Sequence, residues 1–112
     1  MKNTMQQRAI LAAANYFERK GYIVLDATEH FVVAVDDGSL VFAGVDYTDA
    51  DNGFPKEFAR SEFEFFATDW LMGNFDFGIR NMPIRFDFVA MQVLSGNNAF
   101  VRHHINCLNK AN

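Results

Sequence analysis

Arg85 and Asp87 alternate with Phe86 and Phe88. In a strand, that alternation puts both charges on one face. There an Arg–carboxylate pair either ties down a strand edge or offers a guanidinium to an anion. Further on, Arg102, His103 and His104 follow one another. Neighbouring strand residues point to opposite faces, so the two histidines are not expected to share a metal. Glu29 and Asp46 could contribute oxygens to a cation, and Asp49-Ala-Asp51-Asn52-Gly53 has the composition of a calcium loop. Its glycine comes one position too early for an EF-hand, however, and the twelfth position is Arg60 rather than Glu. Solvated loop carboxylates are the expectation. No Ser-His-Asp array, phosphate-cradling Gly-rich loop or zinc spacing is present. The candidate binding residues are therefore Arg85, Arg102 and His103, with no catalytic residue, metal or cofactor expected.

Charge bounds the partners. The net charge is −4 over 112 residues, which argues against a general nucleic-acid binder. Residues 1–25 carry four bases and one acid, whereas residues 36–69 carry nine acids against Lys56 and Arg60. Residues 78–112 carry Arg80, Arg85, Arg102 and Lys110 against Asp87. The middle should repel phosphate and the ends attract it weakly. Cys107 stands alone, which forbids an internal disulfide and points to a reducing cytoplasm. Its expected role is that of a small buried hydrophobe. No apolar run approaches the ~18–20 residues that span a bilayer. Glu18, Arg19 and Lys20 close the first apolar patch as an amphipathic helix would, not as a signal peptide.

The elements that must position these residues follow from pattern. Residues 4–20 read as a helix capped by Asn3 or Thr4 and stopped by Gly21, with Ile10, Ala13, Ala14 and Phe17 on one stripe. Residues 22–25 form a short strand. Residues 31–35 and 40–45 are β-rich runs joined by Asp36-Asp37-Gly38-Ser39, a hairpin signal. An acidic loop over 46–53 precedes a second helix over 55–71, with Pro55 in its first turn. Residues 73–83 are irregular, 84–93 are the longest strand, 95–98 a turn, and 99–105 a final strand or short helix. Phe63, Phe65 and Phe66 face more than one side of the second helix, and Phe75 and Phe77 follow it. Core packing is the first expectation for them, and an apolar surface for a second copy or another protein is the alternative. The order α-β-β-β-α-β plus a closing element implies one α/β domain over residues 1–112, a mixed central sheet flanked by helices.

At this level the chain resembles a family. Ala14-Asn15-Tyr16-Phe17-Glu18-Arg19-Lys20-Gly21-Tyr22, then Leu40-Val41-Phe42, Gly53-Phe-Pro-Lys-Glu57, Trp70-Leu71, Arg85-Phe86-Asp87-Phe88-Val89-Ala90 and His103 before Asn106-Cys107-Leu108 occur in the order and spacing of the YraN-like family. The resemblance covers almost the whole chain. It implies the restriction-endonuclease-like fold and a metal-dependent nuclease site. That site would be built from a Glu on the first helix, an Asp in a G-E-I-D motif, and the Glu and Lys of an E-V-K motif. The carboxylates would hold Mg²⁺, which activates water and stabilises phosphate charge.

Carried over residue by residue, the helix Glu is Ile10, the Asp is Phe31, and the Glu and Lys are Gly44 and Asp46, while Glu29 is kept. The expectation is a degenerate member: a non-catalytic binding or scaffold domain, a pseudoenzyme paired with itself or another protein. Weak or absent nucleic-acid binding and no membrane association go with that reading. A nucleic-acid-binding module is the alternative, and an active nuclease with a relocated site the third reading. If the alignment holds, Ile10 and Phe31 should pack together near Gly44.

Overall fold

The computed structural model describes residues 4–74, 77–94 and 98–108, the side chains at positions 50 and 77 aside. Asn3, Phe75 and Lys110, and most of the turn over 95–98, lie outside the described residues. The elements are α1 (Met5–Arg19), β1 (Ile23–Ala27), β2 (Phe31–Asp36), β3 (Ser39–Asp49), a 3-10 turn (Ala50–Asn52), α2 (Arg60–Gly73), the single turn α3 (Phe77–Arg80), β4 (Ile84–Val93) and β5 (Ala99–His104).

Helix α1 starts where its sequence can satisfy the free N–H groups. Gln7 N–H donates to Thr4 Oγ1 at 3.1 Å, and Thr4 N–H donates to Gln7 Oε1 at 2.8 Å, a reciprocal cap. It ends before Gly21, whose φ of 92° suits a residue without a Cβ. In the β2–β3 hairpin Asp36 pairs with Ser39, and the two residues between them, Asp37 and Gly38, both have positive φ. That is the backbone a two-residue hairpin prefers.

The five strands form one mixed sheet in the order β1-β2-β3-β4-β5. The β1/β2, β2/β3 and β4/β5 pairs are antiparallel, and β3/β4 is parallel. The parallel pair requires a crossover, which α2 belongs to. Because helices cover both faces, the inner strands are apolar almost without interruption. Val32, Ala34, Val41, Ala43, Val45, Val89 and Met91 pack under Ile10, Ala13 and Phe17 of α1. On the other face Phe31, Phe88 and Ala90 lie with Phe63, and Val33, Leu40 and Phe42 with Ala67 and Trp70 of α2. Among the described residues no helix is long and apolar enough to cross a membrane.

Three expectations need correcting. Residues 46–49 continue β3 instead of opening a loop, because they pair with residues 90–93 of β4. Helix α2 begins at Arg60, not at Pro55. Residues 54–59 instead lie against the sheet, with Phe54 and Phe58 packed on the Phe31/Phe63/Phe88 cluster. Burying two aromatic rings outweighs the modest preference of proline for a helix's first turn. Finally, Ile10 of α1 packs on one face of the sheet and Phe31 on the α2 face, so the two do not share a core, and the alignment that pairs them does not hold at the first helix. Phe31 and Gly44, by contrast, are direct cross-strand partners.

Candidate functional site

Asp87 is the centre of the most polar place in the interior. It sits in the middle of β4, on the face turned to α1, and is completely buried. It is the one charged residue of that class among the described residues. Burial of an unpaired carboxylate is prohibitive, so its partners matter. Arg85, two residues earlier on the same face, donates Nε–H to Oδ1 at 2.9 Å and Nη2–H to Oδ2 at 2.8 Å, a bidentate fork. The Asn106 backbone N–H donates to Oδ1 at 2.8 Å. His103 Nε2 lies 2.7 Å from Oδ2. An ionised carboxylate only accepts, so Nε2 carries the hydrogen.

The network extends outward from this centre. His103 Nδ1 lies 3.0 Å from the Tyr16 hydroxyl, which donates to it when the imidazole is neutral. Arg85 gives Nη1–H to Asp36 Oδ2 and Nη2–H to the Tyr22 hydroxyl, each at 2.9 Å. The Phe17 ring stacks on Tyr22 at 5.0 Å and meets His103 edge-on at 5.1 Å, closing the apolar side. The cluster thus joins α1, the segment entering β1, the end of β2, and β4 and β5.

Electrostatics agree with this geometry. Burial opposes charge on Asp87, but the hydrogen bonds from His103, Arg85 and the Asn106 N–H outweigh it and hold the carboxyl below its ordinary range. The hydrogen bond to Asp87 holds the Arg85 guanidinium yet more firmly protonated. Burial raises Tyr22 despite the adjacent guanidinium. Every lone-pair direction of Asp87 is taken by a donor of the protein itself. The arrangement is suited to fastening elements together and leaves the carboxylate nothing with which to hold a metal or a substrate.

Of the three sequence candidates, Arg85 and His103 come together on Asp87, and Arg102 does not join them. Its strand partner is Ala90 on the α2 side, and its guanidinium lies 4.1 Å from the Phe54 ring centroid. His104 also faces that side, 3.5 Å from Glu57. Arg85 and Asp87 precede the β5 ladder, which begins at Phe88; at their positions β4 pairs with β3 alone, and the Asn106 and Cys107 backbone lies on its other side. Tyr16, Tyr22 and Asp36 were missed as members of the network. Tyr16 and Tyr22 are in the helix motif and Asp36 is in the hairpin, but nothing in those motifs names Asp87 as their partner. Cys107 is buried, and its N–H donates to the Phe86 carbonyl at 2.7 Å.

Of the positions that the family resemblance assigns to a metal site, Ile10 lies on the α1 side and does not join the others, whereas Phe31, Gly44 and Asp46 lie on the α2 side. Phe31 and Gly44 sit side by side there. A Cβ on Gly44 would lie 2.7 Å from Phe58 Cδ2 and 3.2 Å from Phe63 Cε1, so the Phe58 ring presses against the strand at that point. Asp46 Oδ1 accepts the N–H of Tyr47 at 2.8 Å. The Glu29 side chain is 79% exposed, with His30 4.0 Å away. Among the described residues no group of three or more His, Cys, Asp or Glu side chains is placed to hold a metal ion. Comparison of the chain with protein-family models and with curated proteins finds no match to either.

Proposed function

We propose that this chain is a non-catalytic binding domain: a restriction-endonuclease-like frame, akin to the YraN-like family, in which the cutting site has been filled with aromatic side chains. The observation that carries the reading is Phe58 lying on Gly44, beside Phe31. Where the resemblance implies two carboxylates around Mg²⁺, there are two phenyl rings 5.5 Å apart and no side chain at position 44. Metal-assisted hydrolysis needs clustered oxygen ligands to activate water, and apolar rings supply none. The element order also supports the reading, since helix, three strands, helix and strand follow one another as the resemblance implies.

The buried Asp87 network then has a structural role. It keeps the sheet and α1 in register once the selection for chemistry is gone. A partner is a protein rather than a nucleic acid, because residues 36–69 oppose phosphate. A reducing cytoplasm suits the lone Cys107. The test is direct: pure protein is incubated with single- and double-stranded DNA and RNA in Mg²⁺ or Mn²⁺. No cleavage is expected. Turnover that disappears in Glu29→Ala or Asp46→Ala would establish a working nuclease instead.

A further inference from the structure

We infer that the outer face of α2, with the groove between it and the β1–β2 turn, docks a basic, amphipathic segment of another protein. The inference rests on the non-catalytic binding reading and names the class of partner.

Phe65 and Met72 are 74% and 69% exposed, among the most exposed large apolar side chains of the chain. Seven residues apart on one helix, they form a ridge two turns long. Single exposed hydrophobic residues are ordinary, but this ridge continues into a groove. The groove is lined by Phe65, Phe66 and Phe31, with Thr28, Glu29 and Glu62 at its sides. Its aromatic floor is fixed, since the Phe66 ring stacks on Phe31 at 4.1 Å and 8°.

Charge decides the occupant. Glu62 and Asp69 have the same two-turn spacing as Phe65 and Met72 and run along the groove side of the ridge, while Glu29 stands on the opposite bank. Among the described residues no Lys or Arg lines the groove, where His30 is the one basic group, and Arg80 stands beside Met72 at the far end of the ridge. Glu62 uses one oxygen to accept the Ala59 N–H at 3.1 Å, which fixes its position and leaves its charge in place. Arg60, the nearest base on the helix, is turned to Glu64 at 3.7 Å and to the Leu108 carbonyl at 2.9 Å. Acids beside aromatic faces attract ammonium and guanidinium groups, through Coulomb and cation–π terms together. They repel phosphate, whether of nucleic acid or of an anionic membrane. A helix with Lys or Arg beside an apolar stripe satisfies both features.

The test uses two synthetic helical peptides with the same leucine stripe, one carrying Lys and Arg on its flanks and one carrying Glu. Each is titrated into isotopically labelled protein and followed by amide NMR. The basic peptide is expected to shift resonances in residues 28–31 and 61–72, and less so as salt rises. Phe65→Ala should weaken it about fivefold, and Glu29→Gln together with Glu62→Gln should remove most of the salt dependence. The glutamine at 62 keeps the acceptor for the Ala59 N–H. An unchanged dispersed spectrum verifies the fold of each variant. No shifts at millimolar peptide, equal shifts with the acidic peptide, or indifference to Phe65→Ala would overturn the inference. Shifts of the same residues on concentrating the protein alone would overturn it too, in favour of a second copy. None of these outcomes depends on whether nucleic acid is cut, so failure here and failure of the non-catalytic reading are separable.

Discussion

His103 donates through Nε2 to Asp87 Oδ2 across 2.7 Å, linking β5 to the charged centre of β4 on the face covered by α1. The imidazole side chain is only 5% exposed, so its hydrogen bond is made in a medium far less polar than water. Two neighbouring strands are thus joined by side chains as well as by their ladder. The same imidazole reaches α1 through Tyr16.

Removing one member should therefore cost far more than a surface substitution. Asp87→Ala leaves the largely buried Arg85 guanidinium with Asp36 but without its fork and is expected to cost about 3–5 kcal/mol, the range for breaking one partner of a buried pair. His103→Ala should cost about 1–3 kcal/mol, since it leaves Asp87 and the Tyr16 hydroxyl each short of a partner. Urea denaturation followed by circular dichroism checks both. A cost below about 1 kcal/mol for Asp87→Ala would mean that water replaces the lost carboxylate and that the site is not sealed.

The acid limb of stability follows from the same carboxylate. Its folded-state pKa lies below the ordinary value of an aspartate. In the unfolded chain it binds a proton near that value, so on falling pH the unfolded state takes up the proton first. The contribution of Asp87 is full above the ordinary carboxylate range and is lost as pH falls through the depressed folded value. Stability should therefore decline between about pH 5 and the strongly acid range, and the decline should be shallower in Asp87→Asn. Melting temperatures at intervals from pH 7 to pH 2 measure this, and identical acid slopes in the two proteins would assign the titration to other groups.

Much of this frame was legible from period and punctuation. The alternation of Arg85 and Asp87 with two phenylalanines predicts a shared face, and they share one. The Asp-Gly turn predicts the hairpin, and Thr4, one of the two expected caps, caps the helix. What local pattern could not supply was sheet order. The crossover brings β4 beside β3, and only the distant residues Tyr22, Asp36 and His103 gathered around it turn an ordinary Arg–Asp pair into a charge cluster with a buried centre. The helix start was misread for a related reason. Pro55 carries a local preference, whereas the rings of Phe54 and Phe58 respond to a sheet assembled from distant residues. Arg102 and His103 are candidates by charge and by the resemblance, but strand geometry sends adjacent side chains to opposite faces.

Gly44 offers a sharp test of the filled site. Gly44→Ala puts a Cβ 2.7 Å from Phe58 Cδ2, closer than side chains approach, so the ring must move within a packed aromatic cluster. Overpacking of this kind costs about 1–3 kcal/mol. Phe58→Leu alone should also destabilise, by removing ring contacts with Phe31, Phe63 and Phe88. The double variant should be more stable than the sum of the singles predicts, by at least about 0.5 kcal/mol, because the smaller side chain makes room for the methyl group. Simple additivity in the double-mutant cycle would place Phe58 elsewhere and remove the main support for a site closed by aromatic packing.

Nucleic-acid binding should be weak. Affinity for a duplex grows with the number of phosphates neutralised, and each contact makes it more sensitive to salt. Of the sequence candidates, Arg85 makes four hydrogen bonds inside the protein, so its guanidinium cannot also clamp a phosphate. His103 is buried against Asp87. Arg102 lies on the opposite face, over Phe54, where Glu57 stands beside the adjacent His104. The three therefore present no common surface. Arg8, Arg19 and Lys20 on or beside α1 remain, with Lys56 and Arg80 on other elements, too few on any one element for a groove. A fluorescence titration with a short duplex is expected to show no binding tighter than about 100 μM at physiological salt, with at most weak binding at low salt. Arg102→Ala should change neither result by more than about twofold, whereas a phosphate-contacting arginine would reduce the salt slope by about one unit. Micromolar binding that Arg102→Ala or Arg19→Ala abolishes would make the chain a nucleic-acid-binding module after all, and would place its surface on whichever face carries the sensitive residue.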